Sequence, residues 1–139
     1  MSTGQNKALA LRIFEEVWNQ GNLAAVDELT APNLVFHNAA QMHYAPEGFK
    51  QFVMIYRHAF PDTHFTVEDV IAEGDTVVAR WSVRGTHKGE LLGIPPTGKQ
   101  ITVTGITINL IANGKSVETW AEFDALGMLQ QLGVIPRMG

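Results

Sequence analysis

The chain has 139 residues, 45% hydrophobic and 17% charged, with a net charge of −4. This suffices for one ordinary domain over residues 1–139 with its own core, and the absence of any lysine or arginine run argues against nucleic acid and anionic membranes as partners. Without cysteine there is no disulfide or thiolate chemistry, no apolar run approaches membrane-spanning length, and the polar start Ser2-Thr3-Gly4-Gln5-Asn6-Lys7 lacks a signal-peptide pattern, so a cytoplasmic protein is expected.

The first predicted element is a helix over Lys7–Gln20, with Leu11, Phe14 and Trp18 along one side. Gly21 is its expected stop, and Asn22 the expected cap of a short helix over Leu23–Leu29 that Pro32 ends. Leu34-Val35-Phe36-His37 reads as a short strand, with Leu34 and Phe36 on one face and Val35 and His37 on the other. Asn38–Ala45 reads as a loop holding His43 and Tyr44. Pro46 suits the first turn of a third helix whose apolar face is Phe49, Phe52, Val53 and Tyr56, closed by Pro61-Asp62.

Beyond that point the chain is strand-rich. His64–Glu73 and Thr76–Thr86 flank a Gly74-Asp75 turn. A Gly- and Pro-rich connection, His87–Lys99, leads to a strand over Gln100–Ala112, and Asn113-Gly114 is a two-residue hairpin turn into Lys115–Asp124. Leu126, Leu129 and Leu132 then recur at helical spacing. Helices first, hairpin-linked strands next and a terminal helix last predict an α+β fold with an antiparallel sheet.

The last strand carries the question of function. Val117, Thr119, Ala121 and Phe123 share one face; Glu118, Trp120, Glu122 and Asp124 share the other. Three carboxylates and a tryptophan are poor core material, so that face either meets water or lines a polar cavity. Asp124, at the junction of strand and helix, either caps the helix or points with Trp120 into whatever the strand covers.

Ala59-Phe60-Pro61-Asp62, Glu73-Gly74-Asp75, Gly85-Thr86-His87-Lys88-Gly89, Gly93-Ile94-Pro95-Pro96-Thr97-Gly98-Lys99, Asn113-Gly114-Lys115, Trp120 with Asp124, and Gln131-Leu132-Gly133 occur in the order seen in SnoaL-like polyketide cyclases. The chain resembles that family over nearly its whole length. The resemblance implies a cone: a strongly curved antiparallel sheet wrapped around N-terminal helices, with a central pocket, as in ketosteroid isomerase and nuclear transport factor 2. It also implies a homodimer or homotetramer joined through the outer sheet face, and ring closure by an intramolecular aldol reaction without metal or organic cofactor. By motif position Asp124 matches the family's acid/base aspartate. His37 and His87 match positions where family members often carry histidine.

The resulting expectation is a cofactor-independent lyase or isomerase acting by general acid/base catalysis on a hydrophobic carbonyl compound. Its expected catalytic residues are Asp124, His37 and His87, and its expected substrate contacts are Trp120, Trp81, Phe36, Tyr56, Phe52 and Glu122. A carboxyl beside tryptophan would have its pKa raised by desolvation. The five histidines are scattered without metal-ligand spacing, so no metal site is expected. The alternatives are a non-catalytic binding or dimerisation module of the same shape, or an epoxide hydrolase. The last fits less well, because Arg80 and Arg84 have opposite parity to His87.

Overall fold

The computed structural model describes residues 2–39 and 41–136, so the expected single domain over residues 1–139 extends beyond the described ends. Helix α1, Thr3–Arg12, starts earlier than the Lys7 expectation. The reason is a capping box: the Ser2 hydroxyl accepts from the Gln5 amide, and the Gln5 side chain accepts from the Ser2 amide. The helix then widens into a π-helical stretch, Ile13–Asn19, which buries Ile13, Phe14, Val17 and Trp18.

That widening leaves carbonyls free at its end. Arg57 Nη1 donates to the carbonyl oxygens of Trp18 and Asn19. Gly21 follows at φ 70°, where a Cβ would sit 2.7 Å from Arg57 Nε. Glycine is required there both by conformation and by space. The Asn19 side chain bonds the Phe65 backbone in both directions, accepting at 2.7 Å and donating at 3.1 Å, as a neighbouring strand would.

Helix α2 runs over Ala24–Leu29 and has no side-chain cap. Asn22 contributes its backbone carbonyl to the Ala25 amide instead of its side chain, which corrects the capping expectation. Strand β1 begins at once, over Thr30–Asn38, so Pro32 lies within it rather than ending the helix. Its ladder with the last strand is interrupted between Thr30 and Val35, so no ladder bond is lost to the proline. Strand β2, Gln41–Tyr44, pairs with β1 where a loop was expected. Helix α3, Ala45–Ala59, carries Pro46 in its first turn and buries Phe49, Phe52 and Val53.

Strands β3 (His64–Glu73), β4 (Thr76–Thr86) and β5 (Gln100–Ala112) follow the sequence reading. Strand β6 spans Lys115–Phe123, and helix α4 spans Ala125–Gln131. Asn113 and Gly114 both have positive φ, as the tight turn between β5 and β6 demands. The six strands form one sheet in the order β2-β1-β6-β5-β4-β3. Four of its five pairings are antiparallel; β1 lies parallel to β6. Hairpin logic cannot anticipate that pair, because no hairpin joins the two strands. Register shifts in β3/β4 and β5/β6 help the sheet curve over the helices. Helix α4 is fastened to β5 by Gln131, whose amide bonds the Thr102 N–H at 2.8 Å and its carbonyl at 2.9 Å.

Candidate functional site

Between the inner face of the sheet and the helices lies a cavity of about 900 Å³, counted with the space at its mouth. Its helical wall is aromatic, with Phe14 and Trp18 from the π-helical stretch and Phe49, Phe52 and Tyr56 from α3. Phe36, Phe65 and Trp81 complete it from the strands. On the sheet side the inward positions of β5 run from Ile101 and Val103 to Thr107 and Asn109, so the cavity turns from apolar to polar along that strand. Thr119, Ala121 and Phe123 line it from β6.

The polar end is tightly organised. Trp81 Nε1 donates to Thr107 Oγ1 at 2.9 Å. The Asn109 Oδ1 accepts from the hydroxyls of Ser116 and Thr119, each at 2.8 Å. The Trp81 indole reaches over Gly105, where a Cβ would lie 2.3 Å from its Cζ2. Burial pushes the Tyr56 hydroxyl pKa up, which keeps it a neutral O–H at neutral pH.

Four expected contacts, Phe36, Phe52, Tyr56 and Trp81, lie in the cavity wall. The other expected site residues lie elsewhere. Asp124 is solvent-exposed; its Oδ1 accepts from the Gly127 amide at 2.8 Å and caps α4. The capping alternative therefore describes this residue, and its carboxylate does not line the cavity. Trp120 and Glu122 project from the opposite face of β6, outside the cavity. The parity grouping holds, but the inward set is Thr119, Ala121 and Phe123. Carboxylates facing inward would have to be desolvated, so this arrangement leaves them on the wetter side.

His37 is also on the outer face. Its ring stacks on Trp120, and its Nε2 lies 2.7 Å from Glu118 Oε2. His87 is fully buried and packs on Phe60, which belongs to a second apolar cluster with Leu91 and Leu132. The Thr97 amide donates to its Nδ1 at 3.1 Å, which puts the ring proton on Nε2. His87 holds the His87–Lys99 connection together and does not line the cavity. The expected site contained neither Thr119 nor the β5 residues Thr107 and Asn109. The available signal was their parity with Ile101, Val103 and Ile111: polar side chains interrupting a buried apolar alternation.

Among the described residues, no three histidine, aspartate or glutamate side chains are grouped to hold a metal ion. Nor is any helix among them long and apolar enough to cross a membrane. Arg80 pairs with Asp69 at 2.6 Å, with both side chains more than half exposed. Arg80 does not line the cavity, so the epoxide-hydrolase alternative gains no support from it.

A curved sheet closed by helices over an aromatic cavity with a polar end defines a cone-shaped α+β small-molecule fold. The chain belongs to the SnoaL-like polyketide cyclase family, whose model matches residues 8–132. It is 32% identical to nogalonic acid methyl ester cyclase of Streptomyces nogalater, over 84% of this chain and 89% of that protein. It is 29% identical to aklanonic acid methyl ester cyclase DnrD of Streptomyces peucetius, over 88% of each. Among solved structures, TsrD from Streptomyces laurentii superposes with a TM-score of 0.87 at 29% identity, covering 97% of this chain and 99% of that one. A protein of Jannaschia sp. CCS1 assigned as a SnoaL-like polyketide cyclase superposes with a TM-score of 0.89 at 28% identity, covering 96% and 95%.

Proposed function

We propose that this chain is a cofactor-independent cyclase that folds a hydrophobic, polyketide-like carbonyl compound inside the cavity and closes a ring by intramolecular aldol addition. The observation that carries the proposal is the aromatic cavity with polar groups confined to one end. The relatives named as cyclases of methyl esters support the substrate class. A cytoplasmic setting and a homo-oligomer belong to the same reading.

The chemistry balances without a co-reactant. A carbon between two carbonyls loses a proton to water and becomes an enolate. That carbon forms a bond to a second carbonyl carbon of the same molecule, the C=O π pair moves onto oxygen, and the oxygen takes a proton from water. The cavity contributes by holding the two carbons together and excluding other conformers. Methylenes between two carbonyls ionise readily, so placement can accelerate the step even though Asp124, His37 and His87 lie outside the cavity wall.

The test is to incubate the protein with aklanonic acid methyl ester and follow a product of unchanged mass by chromatography. Cyclisation above the rate in buffer supports the reading. A second reading, a binding module without turnover, is favoured by the displacement of the three acid/base candidates from the wall. Tight binding with no acceleration would select it.

A further inference from the structure

Asn109 is 98% buried, since only 2% of it is exposed, and its side chain is fixed from one end. Ser116 and Thr119 both donate to Oδ1, which uses both hydroxyl protons and sets the amide's orientation. Its Nδ2, with two hydrogens to donate, has no hydrogen-bond partner among the described residues. It is also absent from the sealed, unpartnered atoms Asn6 Oδ1, Asn38 Oδ1, His43 Nε2 and His87 Nε2, so it keeps access to open space. The open space that Asn109 borders is the cavity. A buried amide donor without a partner is unfavourable until an acceptor fills the position.

Two residues along β5 and on the same face, Thr107 repeats the arrangement on a smaller scale. Its oxygen accepts from Trp81 Nε1, leaving its own proton free to donate. The two positions are about 7 Å apart along the strand. An amide nitrogen only donates, so it selects an acceptor oxygen and not a cation or a second donor. Among the described residues, the one cationic residue bordering the cavity is Arg84, which is exposed and has outward parity on β4. The site therefore suits a neutral carbonyl oxygen better than a carboxylate.

We propose that the Asn109 Nδ2, clamped by Ser116 and Thr119, is the donor that receives a ketone or ester carbonyl oxygen of the ligand, with the Thr107 hydroxyl as a second donor. The assignment rests on the carbonyl-compound reading above. In the aldol step the same donor would hold the oxygen as it gains the π electron pair, a position where hydrogen bonds strengthen with developing charge.

The experiment compares 9-fluorenone with fluorene, a pair matched in shape and differing in the carbonyl. Binding is read by quenching of tryptophan fluorescence, and the bound ketone by its infrared C=O stretch. The wild-type protein is expected to bind fluorenone at least tenfold more tightly than fluorene, with the stretch moved to lower wavenumber. Asn109→Asp keeps an acceptor for Ser116 and Thr119 and, measured at a pH where the carboxyl is ionised, has no proton to donate. It is expected to bring the preference to within about twofold while fluorene binding stays unchanged. The infrared measurement needs no variant, so a misfolded Asn109→Asp leaves the test intact, and Thr119→Val, which loosens the clamp, serves as the second variant. Equal binding of the two ligands by the wild type, or an unmoved stretch, overturns the Asn109 assignment and leaves the cavity reading standing. Binding of neither ligand overturns the cavity reading, and the assignment with it.

Discussion

The His37 imidazole lies flat on the Trp120 indole, with ring centres 5.2 Å apart and planes 2° from parallel, on the side of the sheet turned away from the cavity. The pair belongs to a longer row. Register places Met42 beside His37, His37 beside Trp120, Trp120 beside Ile108, Ile108 beside Val78, and Val78 beside Ile71, crossing all six strands. Met42, Trp120 and Ile71 are exposed, and a largely apolar row of this kind, interrupted only at His37, favours association. We expect a dimer in sedimentation at micromolar concentration. Trp120→Asp is expected to weaken it by about tenfold or more, as loss of a central aromatic anchor does. A wild-type monomer at every concentration tested would sink the expectation.

Gly105 sets the position of Trp81. An added methyl would lie 2.3 Å from Cζ2 and 2.8 Å from the Glu122 carbonyl oxygen, and neither the packed indole nor the paired backbone gives way cheaply. Gly105→Ala is expected to cost about 1–3 kcal/mol by overpacking and to break the Trp81–Thr107 bond. Urea denaturation and ligand-induced fluorescence changes measure the two effects. A variant as stable as the wild type would show that the indole is not held against the strand.

Asp124 acts as a helix cap, and its variants are expected to behave accordingly. Asp124→Asn keeps a side-chain acceptor for Gly127 and is expected to be nearly neutral. Asp124→Ala is expected to lose about 1 kcal/mol. Both are expected to keep ligand binding and any cyclisation within about twofold of wild type once the fraction folded is taken into account. A hundredfold loss in a folded Asp124→Asn would return this carboxylate to the chemistry.

Acid stability depends in part on Asp62. Its carboxylate accepts from the Thr86 amide at 2.7 Å and from the Thr86 hydroxyl at 2.8 Å. The backbone bond is the main cause holding its pKa below the ordinary 3.8. Because the folded value lies below the unfolded one, this stabilisation is fully present above the unfolded pKa. It is lost as pH falls through the folded one. Asp62→Asn is therefore expected to flatten the fall in stability below about pH 4. Thermal unfolding of the two proteins between pH 2 and pH 6 checks this; parallel curves would remove Asp62 from the account.

The parts legible in the sequence were those with local punctuation. The turns at Gly74-Asp75 and Asn113-Gly114 bounded β3, β4 and β5 correctly, and Pro46 placed the first turn of α3. Alternation on β6 separated Trp120 from Ala121 correctly but could not say which face turns inward. That choice depends on curvature and on where the helices pack, both of which are long-range. β2 was missed because it is four residues long and mostly exposed, so its sequence carries no buried alternation. The roles of His37 and His87 depended on Glu118, Trp120 and Thr97, partners that the topology brings to them.

The parallel seam between β1 and β6 also governs how the molecule can be assembled. His37 and Glu118, in contact across it, are 81 positions apart in the chain. During synthesis β1 and β2 leave the ribosome long before β6 exists, and the antiparallel pairs β3-β4 and β4-β5 can form without it. Contacts of such separation bring a large loop-closure cost and slow folding. Until β6 arrives, the edges of β1 and β5 that pair with it remain open, and unpaired strand edges invite aggregation. A nascent chain stopped before Lys115 is therefore expected to be an open, protease-sensitive intermediate rather than a smaller cone.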